Sequence, residues 1–307
     1  MRAVQRMGKR LEQTPRVTET NRKNAGRGKP RPAFALGALL SAPLAWLLVV
    51  YIGSLALLVV SSFVKLDEFT GKPTTELTTG NLSEAFTQSE YLSLVLRSVV
   101  VAVAVTLICF VFAMPTAFYI ARLASRRTRR GLIVALILPL WTGYLVKAFA
   151  LRAVLEPGSE YGEGGFMKNL IGWSPGFGYT AVILTLTYLW FPYMLLPIYA
   201  GLERLPNSFL DASADLGAGS LRTFRLVILP LLIPSIAAGS IFTFSLSLGD
   251  YITVKIVGGT AQLIGNIIER ALLAPNQPLA AAFTLWPILI MVVYLVVMGR
   301  AGAFKNL

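Results

Sequence analysis

Six runs of apolar residues set the terms on which this chain can fold. They cover residues 34–64, 92–120, 132–154, 179–200, 226–248 and 279–297. A helix that crosses a bilayer needs about 20 mainly apolar residues, and every run is of that order. Hydrocarbon offers no partner to a free N–H or C=O, so a span of this kind has to be helical. The runs predict an all-α polytopic membrane protein with six transmembrane helices. Pro115, Pro139 and Pro234 fall inside them, which membrane helices tolerate better than soluble ones. Composition agrees: 55% of the 307 residues are hydrophobic and the mean hydropathy is +0.65, too apolar to cover a soluble domain with polar surface. The sequence shows no internal repeat.

Charge orients the spans. Residues 1–32 hold ten Lys/Arg, among them Arg2, Arg6, Arg10, Lys23 and Arg31, against Glu12 and Glu19. This polar stretch has no apolar periodicity and reads as a disordered tail, with 33–307 as the six-span domain. Its basic excess stops where the first apolar run starts, which fits a topology and lipid-surface signal rather than a nucleic-acid arm. The first apolar run is too long for the core of a cleaved signal peptide. The second-to-third connection, 121–130, has five arginines, the fourth-to-fifth adds Arg204, Arg222 and Arg225, and the C-terminus adds Arg300 and Lys305. On the other side, Asp67, Glu68, Glu76, Glu84 and Glu90 face Lys72, and Glu156, Glu160 and Glu163 face Lys168. Positive charge stays inside, so both termini are expected in the cytoplasm.

The chain has no histidine, and Cys109 is its only cysteine. An internal disulfide is impossible, and no metal site built on His or Cys is expected. Cys109 lies in an apolar run and reads as a small buried hydrophobe.

The segment 203–228, on the basic side, is polar between two apolar runs. Ser208 and Asp211 fit a Ser-x-x-Asp capping box. Leu210 and Ala214 would share one face, as would Phe209, Ser213 and Leu216. Gly217 stands where a helix C-cap wants positive φ, and Ser220 would cap the next turn, 221–225. The result is an L-shaped protrusion with an apolar face and a charged face. Burying that face in a partner's groove would contribute several kcal/mol at ~25 cal/mol per Å²; a lipid headgroup surface offers much of the same.

The residues of this segment resemble the cytoplasmic signature of ATP-binding-cassette importer permeases: Glu-Ala-Ala, three residues, Gly, nine residues, Ile-x-Leu-Pro. Asp211-Ala212-Ser213 stands for Glu-Ala-Ala, Gly217 keeps the spacing, Val227 replaces Ile, and Leu229-Pro230 match. Stretches 189–206 (LWFPYMLLPIYAGLERLP), 247–253 (SLGDYIT), 257–259 (VGG) and 264–266 (IGN) are similar to permeases of spermidine/putrescine importers. Related branches carry ferric iron, opines, thiamine or phosphonates. The resemblance implies the type I ABC importer permease fold, in a bacterial inner membrane, with a coupling helix pair between spans four and five. Phe209, Leu210, Asp211, Ala212, Ser213, Gly217, Ala218, Leu221 and Phe224 would meet a cytoplasmic ATPase dimer. A second, different permease and an extracytoplasmic binding protein would complete the complex.

The chain itself has no phosphate-binding loop. Gly71-Lys72 runs into Pro73 and lacks the upstream glycine, and no nucleophile–base set is visible. No cofactor is expected on this chain; ATP and Mg would sit on the partner. A membrane-embedded enzyme and a non-transport scaffold are the competing classes, and the missing catalytic set argues against the first.

A polyamine would seek carboxylates and aromatic faces, the latter worth ~0.5–2 kcal/mol each. Asp250 is the leading pathway carboxylate; it reads equally as a helix-end residue bonded to backbone or to Thr253. Tyr251 would stack on the ligand or anchor at the interface, and Trp141 and Tyr144 would line a cavity or belong to the aromatic belt. Lys147 and Arg152 would repel a polycation unless a carboxylate such as Glu156, or one on a partner subunit, neutralised Lys147, and they would suit an anionic substrate.

Overall fold

The computed structural model describes residues 33–67, 70–158, 164–274 and 276–300. The basic tail, Glu68, Glu160, Glu163 and Lys305 lie outside the described residues. In chain order the elements are α1 (Ala33–Ser61), the antiparallel strands β1 (Val64–Leu66) and β2 (Pro73–Leu77), α2 (Gly80–Thr87) and α3 (Ser89–Phe118), which runs on through a π-helical turn, Tyr119–Leu123. Then come α4 (Arg126–Trp141), α5 (Tyr144–Leu155), α6 (Phe166–Ile171), α7 (Tyr179–Arg204), α8 (Asn207–Asp215) and α9 (Ser220–Thr223). A second π-helical turn, Phe224–Ile228, leads into α10 (Leu229–Leu248), followed by α11 (Ile252–Val257), α12 (Ile264–Leu273) and α13 (Gln277–Arg300). The chain divides into two units, residues 1–57 and 58–307.

Among the described residues, five helical stretches are long and apolar enough to cross a membrane: Pro43–Ser61, Ser89–Leu123, Tyr179–Arg204, Ser220–Leu248 and Gln277–Arg300. The third apolar run differs from its expected single helix. It is two helices, α4 and α5, bent by 101° at Thr142 and Gly143, and counts as a sixth crossing only if the pair is one span. The helix runs on past Pro139 to Trp141 and breaks at Thr142 and Gly143, which are extended, with ψ 133° and 142°.

The architecture is a helical membrane bundle in which α3, α7 and α10 pack together. On α3 the buried stripe is Ser98, Val101, Ala102, Val105, Cys109, Ala113 and Ala117, while Leu96, Leu107, Val111 and Phe112 point outward. Lipid is as apolar as leucine, so small residues that let backbones approach mark the packing face. Gly201 on α7 shows how close: a Cβ there would lie 2.2 Å from Ser235 Oγ and 2.9 Å from Leu232 Cδ2 of α10. Cys109 is wholly buried in this core, its sulfur 3.5 Å from the Thr187 carbonyl.

The end of the bundle opposite the arginines carries structure that the apolar runs do not reveal. In the β1–β2 hairpin Lys65 pairs with Glu76 at 3.0 Å. The Asn81 amide donates to the carbonyls of Ser62 and Val64, tying α2 to β1. A second core joins α2, α12 and α13 around Ala85, Ile264, Ile267 and Phe283, and Phe86 stacks on Trp286 at 4.5 Å. Amphipathic α12 thus packs on the bundle end rather than crossing it.

Candidate functional site

The 203–228 segment folds as two short helices around a glycine joint. Gly217 has φ +74°, a region open to glycine and costly for other residues, and its N–H donates to Ala214 O at 2.8 Å. The expected caps do not form. Pro206 takes the position before α8, so Ser208 lies inside the first turn and no Ser-x-x-Asp box closes. Ser220 is the first residue of α9, one past the cap position held by Gly219. The hydroxyls that do fix the pair are Ser213 and Thr223, 2.7 Å apart.

Burial divides the nine coupling candidates, of which Gly217 is exposed. Leu210 and Phe224 pack against the core, and Ser213 is buried. Phe209, Asp211, Ala212 and Leu221 point out, and Ala218 is half-buried. Ala214 is exposed and does not share the buried face of Leu210. Leu216 and Leu226 extend the outward stripe: Leu216 is 88% exposed, Leu221 72%, Leu226 65% and Phe209 48%. Between them lies a hollow of about 400 Å³ lined by Phe209, Ala212, Leu216, Ala218, Arg222 and Leu226, among others. An apolar concavity with an arginine at its rim suits a partner's knob or helix end better than bulk water.

The base of this segment is gripped by arginines that sequence reasoning counts only as charge. Arg122, in the π-helical turn after α3, donates to the Leu202 and Leu205 carbonyls at 2.7 and 2.6 Å and to Asn207 Oδ1 at 2.5 Å. Arg129 of α4 donates twice to Tyr199 OH, at 2.9 and 2.7 Å, and pairs with Glu203. Neither Asn207 nor Thr223 carries a recognisable signal in the sequence.

A second cluster gathers where two helices are interrupted. Asp250 lies between α10 and α11 and is 7% exposed. Its Oδ1 accepts the Thr253 N–H at 2.8 Å; its Oδ2 accepts Tyr144 OH at 2.5 Å and faces Thr253 Oγ1 at 3.2 Å. Tyr144 is the first residue of α5, just past the bend, and its ring stacks on Trp190 at 5.9 Å; Tyr193 meets Trp190 edge-on. Two candidates picked separately from the sequence are therefore in direct contact. Trp190 Nε1 is buried with no hydrogen-bond partner among the described residues. Trp141 and Tyr251 do not join it. Trp141 is 88% exposed, and Tyr251 contributes its carbonyl to the Asn266 amide at 3.1 Å.

The two cations of the third run separate here. Arg152 donates to Ile256 O at 2.8 Å and lies over the Phe177 ring at 5.0 Å, which makes it a clamp on α11. Lys147 sits one turn beyond Tyr144, half-buried, and forms no ion pair among the described residues; the pairing with Glu156 does not occur.

Residues 113–303 match the family described as binding-protein-dependent transport system inner membrane component. The inner membrane ABC transporter permease protein YdcU of Escherichia coli K12 is 42% identical over 296 residues, covering 90% of this chain and 92% of that protein. The spermidine/putrescine transport system permease protein PotB of the same strain is 32% identical over 226 residues, 70% of this chain and 80% of its own length. Among solved structures, a bacterial ABC transporter involved in import of the acidic polysaccharide alginate aligns with a TM-score of 0.67 at 15% identity, over 87% of this chain and 94% of that one. At that identity it speaks for the fold alone.

Proposed function

Because this chain belongs to the binding-protein-dependent transport system inner membrane components, and is a permease subunit of an ABC importer, we propose that it carries polyamines such as spermidine and putrescine across a bacterial inner membrane. In this reading the arginine-rich end and both termini are cytoplasmic. The exposed stripe from Phe209 to Leu226 seats an ATPase subunit, which binds ATP and Mg. A second, non-identical permease faces this one, and a binding protein delivers substrate to the hairpin end. Closure of the ATPase pair then drives the permeases between outward and inward states as rigid bodies.

The observation that carries the polyamine reading is the 32% identity to the spermidine/putrescine permease over 70% of this chain. The Asp250–Tyr144–Trp190 cluster supports it. Irregular backbone at membrane depth survives where it is buried in protein or lines a cavity, and a carboxylate beside stacked aromatics is the chemistry that draws an alkylammonium. Asp250 would act by charge, with Tyr144 and Trp190 offering ring faces. Tyr251 and Trp141 would contribute only outside the cluster. Lys147, one turn away and without an ion-pair partner among the described residues, favours a second reading: an anionic solute such as a phosphonate or opine, carried by the same kind of permease.

Ligand-stimulated ATP turnover separates the two. In the complex reconstituted with its ATPase, second permease and binding protein, spermidine or putrescine is expected to stimulate hydrolysis. Stimulation by a phosphonate or opine and none by either polyamine would overturn the polyamine reading and leave the permease class intact.

A further inference from the structure

The proposed function makes no use of the Arg122 joint. α7 ends at Arg204 and α8 begins at Asn207, and the two residues between, Leu205 and Pro206, are extended, with ψ 122° and 141°. Among the described residues no backbone hydrogen bond links α7 to α8 across them. Left alone, such a joint is a hinge. One guanidinium closes it. Nη2 of Arg122 binds the carbonyls of Leu202 and Leu205, and Nη1 binds the side chain of Asn207.

We infer that Arg122 is a positioning residue that makes the end of α3, the last turn of α7 and the whole of α8 move as one body, and so sets how much transport each ATP yields. The inference rests on the reading of 203–228 as the ATPase-facing segment. Three features support it. The π-helical turn Tyr119–Leu123 adds a residue to the helix and rotates its last side chains, which aims Arg122 across at α7; such turns recur at functional sites. The carbonyls it takes lie at the C-terminal end of α7, where a cation is favoured; that of Leu202 also accepts the Leu205 N–H at 3.3 Å, so Arg122 adds a second bond there. The rigid fork of an arginine holds three acceptors at fixed angles, which a lysine ammonium does not. At its far end α8 is fastened to α9 by Ser213 and Thr223. A push on the outward stripe therefore reaches α10 through one tie and α3 with α7 through the other.

The test measures uptake and ATP hydrolysis together in the reconstituted transporter. Arg122→Ala and Asn207→Ala are each expected to cut uptake per ATP about tenfold, the scale of losing a hydrogen bond to a charged group, while ATP hydrolysis and ATPase co-purification persist. The double variant should be no worse than either single one, because both break the same link, and Arg122→Lys should recover part of the loss. Asn207→Ala spares the bonds that cap α7, so it remains informative if Arg122→Ala fails to assemble. Normal uptake per ATP in both alanine variants, or additive losses in the double variant, overturns the inference. Failure of the underlying reading looks different: Leu216→Asp would then leave the ATPase bound, whereas the ATPase is expected to be lost.

Discussion

Asp250 is a carboxylate with its acceptors already occupied by Thr253 and Tyr144. The geometry meets the helix-end role; the pathway charge is the proposed role, and a substitution can part the two. Asn at 250 keeps its amide oxygen for the Thr253 N–H and turns its NH2 toward Tyr144, whose hydroxyl then accepts from it and can donate to Thr253 Oγ1, but it carries no charge. Asp250→Asn is therefore expected to unfold within a few degrees of the parent, at ~2–4 °C per kcal/mol for chains of this size, yet to lose polyamine uptake about tenfold. Uptake equal to the parent would assign Asp250 to structure alone. The contact with Tyr144 is not legible in the sequence, although both residues are. It depends on the bend at Thr142 and Gly143. A proline three residues earlier is common enough in membrane helices that the sequence gives no sign of which one breaks.

Among elements, the α8–α9 pair is where sequence and structure agree most closely and where the disagreements are instructive. Spacing alone puts Gly217 at a positive-φ cap, and the backbone has it there. The serine caps fail because a helix boundary one or two residues away from the signal turns a capping hydroxyl into an ordinary first-turn side chain; Pro206 and Gly219 take the positions instead. Forcing a β-branched residue into the left-handed region costs ~1–2 kcal/mol, and nothing lies within 4 Å of a Cβ there, so the penalty is conformational rather than steric. Gly217→Val should tilt α9 against α8 and separate ATP hydrolysis from uptake, whereas Gly217→Asn, which visits this region more readily, should transport nearly normally. Full transport by the valine variant would show that the joint angle does not matter.

For the molecule as a whole, length and apolarity are enough to find five spanning helices among the described residues, because the bilayer imposes both, but not to show that the third run is the bent pair α4 and α5. They are not enough to say which face packs: a helix apolar all round has no hydrophobic period to read, and small residues, those of α3 with Gly201 and Gly239, mark the contacts. The hairpin and α12 escape notice for the opposite reason. Their segments are short and mixed in polarity, and Asn81, Ile264 and Phe283 acquire meaning only once distant parts of the chain meet. The outward stripe on α8, α9 and the turn beyond is the part of the surface on which the ATPase-coupling reading stands. Cys109 is the chain's only cysteine and is wholly buried, so a thiol introduced by Leu216→Cys is the one open to reagent. With a photoactivatable maleimide on that thiol in the assembled transporter, the account predicts a crosslink to the ATPase subunit; crosslinks to lipid with none to the ATPase would contradict it.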